Sequence, residues 1–230
     1  MSLIVAISGG EIGLHETFLI DKLIVKKSQK TNPRLLFIPT ASDDASGYIE
    51  TIKTIYGSLG CIVHALLLMN ESLSFEQIKH EIEHADIIYV GGGNTRKMME
   101  IWQQKGVDRL LRDAFLSDKI LAGLSAGAIC WFKYGHSDSQ MIEGISDAKH
   151  MFVEGLGFIP YIVCPHYEEA ERASFDWMIT HQSLPGLAME SKVALIYDGH
   201  QYELVRSVPT VKAYAFIAGQ KCLLDVKTLV

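Results

Sequence analysis

Short, unbroken apolar runs alternate along the chain with longer stretches whose apolar positions recur at helical spacing. The runs are Leu3 to Ser8, Arg34 to Pro39, Cys61 to Leu68, Asp86 to Val90 and Ile120 to Leu124. None alternates polar with apolar, so each reads as a strand covered on both faces. Between them, Leu14 to Ser28, Ala45 to Leu59, Ser74 to His84, Arg96 to Gln104 and Asp108 to Leu116 read as helices. In the first, Phe18, Leu19, Leu23 and Ile24 keep helical spacing; in the third, Phe75, Ile78 and Ile82 share one face. Strand followed by helix, repeated, predicts an α/β fold built on a doubly wound, mostly parallel sheet.

The pattern changes after Trp131. Lys133 to Gly157 is polar, Gly-rich and irregular, and reads as a long functional loop. Phe158 to Cys164 is a further strand, closed by Pro165-His166-Tyr167, and Glu168 to His181 a further helix. From Val193 to Val230 the short runs VALIYDG, QYELVR, AYAFIAG and KCLLDV predict antiparallel strands that finish the sheet edge. No repeat, low-complexity stretch or linker splits the chain, so residues 1–230 read as one domain.

Charge and cysteines narrow the partners and the compartment. The net charge is −6 and no basic run exceeds Lys26-Lys27, which argues against nucleic acid or an anionic membrane. No apolar run reaches the ~20 residues of a membrane span. The first residues lack the charged region of a signal peptide and read as a strand. Cys61, Cys130, Cys164 and Cys222 sit in apolar settings without a C-x-x-C pair, as expected of a reduced, cytoplasmic protein.

The candidate chemistry centres on Gly123-Leu124-Ser125-Ala126-Gly127. A strand ends in G-x-S-x-G and a helix-compatible run follows, the nucleophile-elbow pattern that presents a serine on a sharp turn. The Ala126 N–H and the helix dipole then face a developing oxyanion. A Gly/Ala-rich turn packed on the sheet is the bland alternative. A serine nucleophile needs a base, and His166 follows a strand end. Strand carboxyl ends collect at one rim of such a sheet, which brings Ser125 and His166 to the same side. Two carboxylates compete to orient the base: Asp138 in the irregular loop, and Glu190 just before the strand at Val193. Gly91-Gly92-Gly93-Asn94-Thr95 closes the fourth strand, and Gly92 is the choice for a second oxyanion donor. The phosphate-loop patterns are absent there, and Asn94 or Thr95 suits a helix cap. His80-Glu81-Ile82-Glu83-His84 matches H-E-x-x-H formally. Helical spacing turns its histidines away from the apolar face, so a zinc site is not expected.

Together, Val90 to Thr95, Gly123 to Ala128 and Pro165-His166-Tyr167 resemble the peptidase E (aspartyl dipeptidase) and cyanophycinase family of serine peptidases. The resemblance runs in the same order from the first strand to about Tyr197. It implies a fold like that of class I glutamine amidotransferases, with serine in place of their cysteine. Ser125 would be the nucleophile and His166 the base. Glu190 would hydrogen-bond His166, and Asp138 would sit in the substrate pocket. It implies a preference for short peptides with an N-terminal aspartate, held by Arg172, with Asn94 near the substrate amine or carboxylate. It implies no metal or organic cofactor. A monomer or homodimer is the expected state. The chain departs from better-known members at Ile129, at Cys130-Trp131-Phe132 and in the Gly135 to Ser139 loop, positions expected to line the pocket. A cyanophycinase-like hydrolase of β-aspartyl-arginine dipeptides, and a non-catalytic binding module on the same fold, are the alternatives.

Overall fold

The computed structural model describes residues 3–230. In chain order the strands are β1 (Leu3–Ile7), β2 (Arg34–Ile38), β3 (Ile62–Ala65), β4 (Ile87–Val90), β5 (Ile120–Leu124), β6 (Phe132–Ser137) and β7 (Met151–Glu154). They continue as β8 (Ile159–Cys164), β9 (Gly186–Met189), β10 (Val193–Tyr197), β11 (Tyr202–Arg206), β12 (Ala213–Ile217), β13 (Gln220–Leu223) and β14 (Lys227–Thr228). The helices are α1 (Phe18–Lys27), α2 (Ser46–Ser58), α3 (Phe75–His84), α4 (Thr95–Lys105), α5 (Val107–Phe115), α6 (Ala126–Ile129), α7 (Ser139–Ile142) and α8 (Ser174–Ile179).

The larger sheet has eight strands in the order β14-β11-β10-β1-β5-β4-β2-β3. From β1 to β3 every neighbour is parallel. β10 joins β1 antiparallel, and β11 joins β10 antiparallel. The unbroken apolar runs follow from burial on both faces. In β1, Leu3, Val5 and Ile7 pack with α1 and α2, while Ile4 and Ala6 belong to the core shared with α3, α4 and α5. Leu121 of β5 lies on the second of these sides and Ile120, Ala122 and Leu124 on the first.

Beside this sheet lies a second one of six strands, in the order β13-β12-β9-β8-β6-β7. One of its faces contributes Phe132, Val153, Ile159, Val163, Leu187 and Met189 to the main core. The other packs Ile162, Cys164, Ala188 and Phe216 against Phe175 and Ile179 of α8. This corrects the reading of residues 133–157 as a loop. Polar β6 is a strand because β7 and β8 flank it, and tertiary pairing outweighs its composition. It also corrects the C-terminal reading. β10, β11 and β14 do finish the edge of the larger sheet, but β12 and β13 extend the second. Ile129, Cys130, Trp131 and Phe132 are buried in the core. The helix expected from Leu14 starts at Phe18, after a turn in which His15 takes φ 60°. That expected from Glu168 is a 3-10 turn, Ala170–Ala173, followed by α8. Among the described residues no helix is long and apolar enough to cross a membrane.

Candidate active site

Ser125 ends β5 at the carboxyl rim of the larger sheet, with φ 56° and ψ −111°. An L-residue held at positive φ outside the helical well is strained, and such strain collects at functional sites. The flanking glycines make the turn feasible. A Cβ on Gly123 would stand 2.2 Å from the carbonyl oxygen of Gly127, and one on Gly127 would stand 2.1 Å from that of Val90. The following helix α6 has only four residues, Ala126–Ile129. Its first N–H groups, rather than a long helix dipole, supply the local positive potential.

His166 follows the end of β8 and takes φ 53°. Its Nε2 lies 2.8 Å from Ser125 Oγ. Its backbone N–H donates to Ser8 Oγ at 3.0 Å, and the Ser8 hydroxyl donates to the Met189 carbonyl at 2.6 Å. These bonds tie the histidine to the ends of β1 and β9. Burial is the largest influence on the imidazole and holds it below its ordinary range; the nearby Glu169 carboxylate opposes that shift. The neutral ring is the form that accepts a proton.

A cavity of about 500 Å³ opens beside Ser125 and His166. Glu11, Ile12, Tyr48, Thr51 and Gly92 line it. Gly92 approaches the elbow closely: a Cβ there would be 3.3 Å from Ser125 Cβ. The Gly92 N–H donates to the Tyr48 hydroxyl at 3.4 Å. Burial pushes the Tyr48 phenol up to about 12, so it stays neutral and keeps its own proton to donate.

The other expected residues sit elsewhere than expected. Glu190 does not reach His166: its carboxylate accepts the Lys212 N–H at 2.8 Å, on the strand-end side. Asp138 pairs with Arg172 at 3.1 Å. Arg172 is 4% exposed, and it also donates through Nε to Glu169 Oε2 and through Nη1 to the His136 carbonyl, both at 3.3 Å. It is neither a surface arginine nor a free guanidinium. Asn94 is a helix cap: it accepts the Lys97 N–H at 3.0 Å and donates to Glu143 at 2.9 Å. His80 and His84 lie on the exposed side of α3, opposite Ile78 and Ile82. Among the described residues no group of three His, Cys, Asp or Glu side chains could hold a metal. Cys164 lies 3.6 Å from His136, but burial pushes its thiol up and the imidazole down to about 3, so the pair stays neutral.

Sequence reasoning missed Ser8, Gly9, Tyr48, Glu169 and Ser191. Ser191 Oγ lies 3.2 Å from His166 Nδ1, and Glu169 Oε1 lies 3.8 Å from the same atom. A signal for Ser8 and Gly9 was present, since they follow β1 at the same rim as Ser125.

Comparison with known proteins identifies the family. The family model described as Peptidase family S51 matches residues 4–205. The chain is 32% identical over 225 residues to the protein named Uncharacterized peptidase YgaJ of Bacillus subtilis (strain 168), covering 96% of this chain and 94% of that one. It is 25% identical over 195 residues to Peptidase E of Shewanella denitrificans, covering 79% of this chain and 78% of the other. The crystal structure of a peptidase from an acI-B1 Actinobacterium matches with a TM-score of 0.76 at 18% identity, covering 98% of this chain and 95% of that one. At that identity the likeness speaks for the fold. The family match spans the strands that carry both Ser125 and His166, and by it the chain belongs to peptidase family S51.

Proposed function

We propose that this protein is a serine-type peptidase of short peptides, acting in the cytoplasm through an acyl-enzyme. The observation that carries the reading is the 2.8 Å contact between Ser125 Oγ and His166 Nε2, made by a serine with φ 56°. Ser125 attacks the scissile carbonyl while His166 takes its proton. The oxyanion that forms faces the Ala126 N–H, and the Gly92 N–H exchanges its long 3.4 Å bond to the Tyr48 hydroxyl for it. His166 then gives its proton to the leaving amine, and the carbon–nitrogen bond breaks. Water, deprotonated by His166, attacks the ester and releases the acid.

A cavity of about 500 Å³ suits a peptide of a few residues. Its charge runs against an acidic first residue. Glu11 lines it and Arg172 does not, its guanidinium being turned to Asp138, Glu169 and the His136 carbonyl. We therefore rank aspartate below alanine and lysine as the residue whose carbonyl is attacked. The test is hydrolysis of aspartyl, alanyl, leucyl and lysyl chromogenic amides by wild type and Ser125→Ala. Cleavage by wild type alone, with the aspartyl amide slowest, is the expected result. Equal cleavage by both proteins would sink the serine mechanism. Fastest cleavage of the aspartyl amide would overturn the ranking and leave the mechanism standing.

A further inference from the structure

For Ser125 to pass its proton to Nε2, the ring proton of His166 must sit on Nδ1, and that N–H needs an acceptor. The acceptor within hydrogen-bond reach is the Ser191 hydroxyl at 3.2 Å. The nearest carboxylate is Glu169, one turn further along from the histidine itself, at 3.8 Å. Neither Glu190 nor Asp138 fills the place, because Lys212 and Arg172 hold them.

We propose that Ser191 and Glu169 together position His166: Ser191 accepts the Nδ1–H and fixes the tautomer, and Glu169 supplies the negative charge against which the imidazolium forms. This rests on the Ser125–His166 reading above. Both groups are themselves held. The Ser191 N–H donates to Glu168 at 2.8 Å. Glu169 Oε2 accepts from Arg172, and Arg172 is anchored by Asp138 and the His136 carbonyl. The charged groups that face the imidazole are thus Glu168, Glu169, Asp138 and Arg172. Arg172 has a different job from the one the family resemblance implied. It tethers the carboxylate and moderates its charge, so that His166 is steadied without being locked in the protonated form.

The arrangement also explains why Glu169 stands off at 3.8 Å. A carboxylate in direct contact would raise the imidazole further and cost the enzyme its neutral base at mildly acid pH. A hydroxyl in contact and a carboxylate just behind it orient the ring and still stabilise its charged form. Glu190 serves as the internal control, being next to Ser191 in sequence but bonded to the Lys212 backbone.

The experiment combines two readouts on the full chain. One is the rate at which a fluorophosphonate labels Ser125, which does not depend on knowing the peptide substrate. The other is the titration midpoint of His166 by NMR, which does not depend on activity. Expected are labelling at least about tenfold slower in Ser191→Ala and Glu169→Gln, and a wild-type rate in Glu190→Gln. In Glu169→Gln the His166 midpoint should fall by about half a pH unit or more, and in Glu190→Gln it should hold. The proposal is overturned if Ser191→Ala labels at the wild-type rate. It is equally overturned if the midpoint follows Glu190 and ignores Glu169. Wild type that takes no label at all would instead bring down the serine-peptidase reading, and the proposal with it.

Discussion

The ring of His166 occupies the space that a side chain at position 9 would take. A Cβ on Gly9 would stand 2.4 Å from Nδ1 and Cε1 of the imidazole and 2.6 Å from Ser191 Oγ. Contacts that short force something to move. The His166 side chain is 20% exposed and borders the cavity, so it yields more easily than the buried strand end. Gly9→Ala should therefore push the ring off Ser125 and slow catalysis by about a hundredfold, the cost of an ångström-scale misplacement. Thermal unfolding should move little. Normal labelling of Ser125 by a fluorophosphonate in this variant would show that the ring tolerates displacement.

Strain at the elbow gives a prediction of opposite sign for stability and activity. Ser125 holds φ 56° and ψ −111°, a conformation that glycine adopts more readily. Ser125→Gly should abolish hydrolysis and raise the unfolding free energy by about 1 kcal/mol, the lower end of what such strain costs. Ser125→Ala should abolish hydrolysis without that gain. Adding His166→Ala to either should cost no further activity, because the pair acts as a unit. Urea titrations of the two serine variants, run side by side, read the difference. A less stable Ser125→Gly would mean that the elbow is not strained.

The pH profile follows from the burial of His166. The imidazole lies below its ordinary range, chiefly through burial, with Glu169 pulling the other way. A base must be neutral to act, and a lowered midpoint keeps it neutral to more acid pH. The ascending limb of kcat/KM should thus have its midpoint below about 6.5, the value of a free imidazole. An enzyme that gains activity only above pH 7 would contradict the geometry described for the ring.

The parallel core was legible because burial on both faces writes unbroken apolar runs, and Ser125 because a strained turn needs glycine and alanine around it. His166 was legible from its place at a strand end. The orienting groups were not. Ser191 and Glu169 look like any polar loop residues, and what selects them is the positive φ of His166, which no composition encodes. Glu190 was favoured by the family resemblance, yet the β9 to β12 pairing carries its carboxylate to the Lys212 N–H. The second sheet was missed for a related reason. β6, FKYGHS, is polar for a strand, and Gly135 belongs to it because a Cβ there would meet Ile129 at 2.4 Å. Close packing against the elbow helix, rather than β-propensity, places that strand.

A buried carboxylate outside the lining of the cavity sets the last prediction. Asp21 of α1 is fully buried, accepting hydrogen bonds from Thr17 and Tyr56 at 2.8 Å each. Burial raises its pKa to about 6, and the two hydroxyl donors only partly offset the shift. In the unfolded chain the group titrates near 3.9. Between those values the folded protein holds the proton and the unfolded chain does not, so the folded state binds more protons. Stability therefore falls through this group as pH rises from about 4 to about 6, and the cost persists above that. Some two pH units between the midpoints, at roughly 1.4 kcal/mol each, put the loss at up to about 3 kcal/mol. Asp21→Asn keeps an acceptor for one hydroxyl and cannot ionise. The difference in unfolding free energy, variant minus wild type, should climb by that amount between pH 4 and pH 6 and then level off. Denaturant titrations at half-unit pH steps measure it, and parallel curves for the two proteins would show that Asp21 carries no net proton linkage.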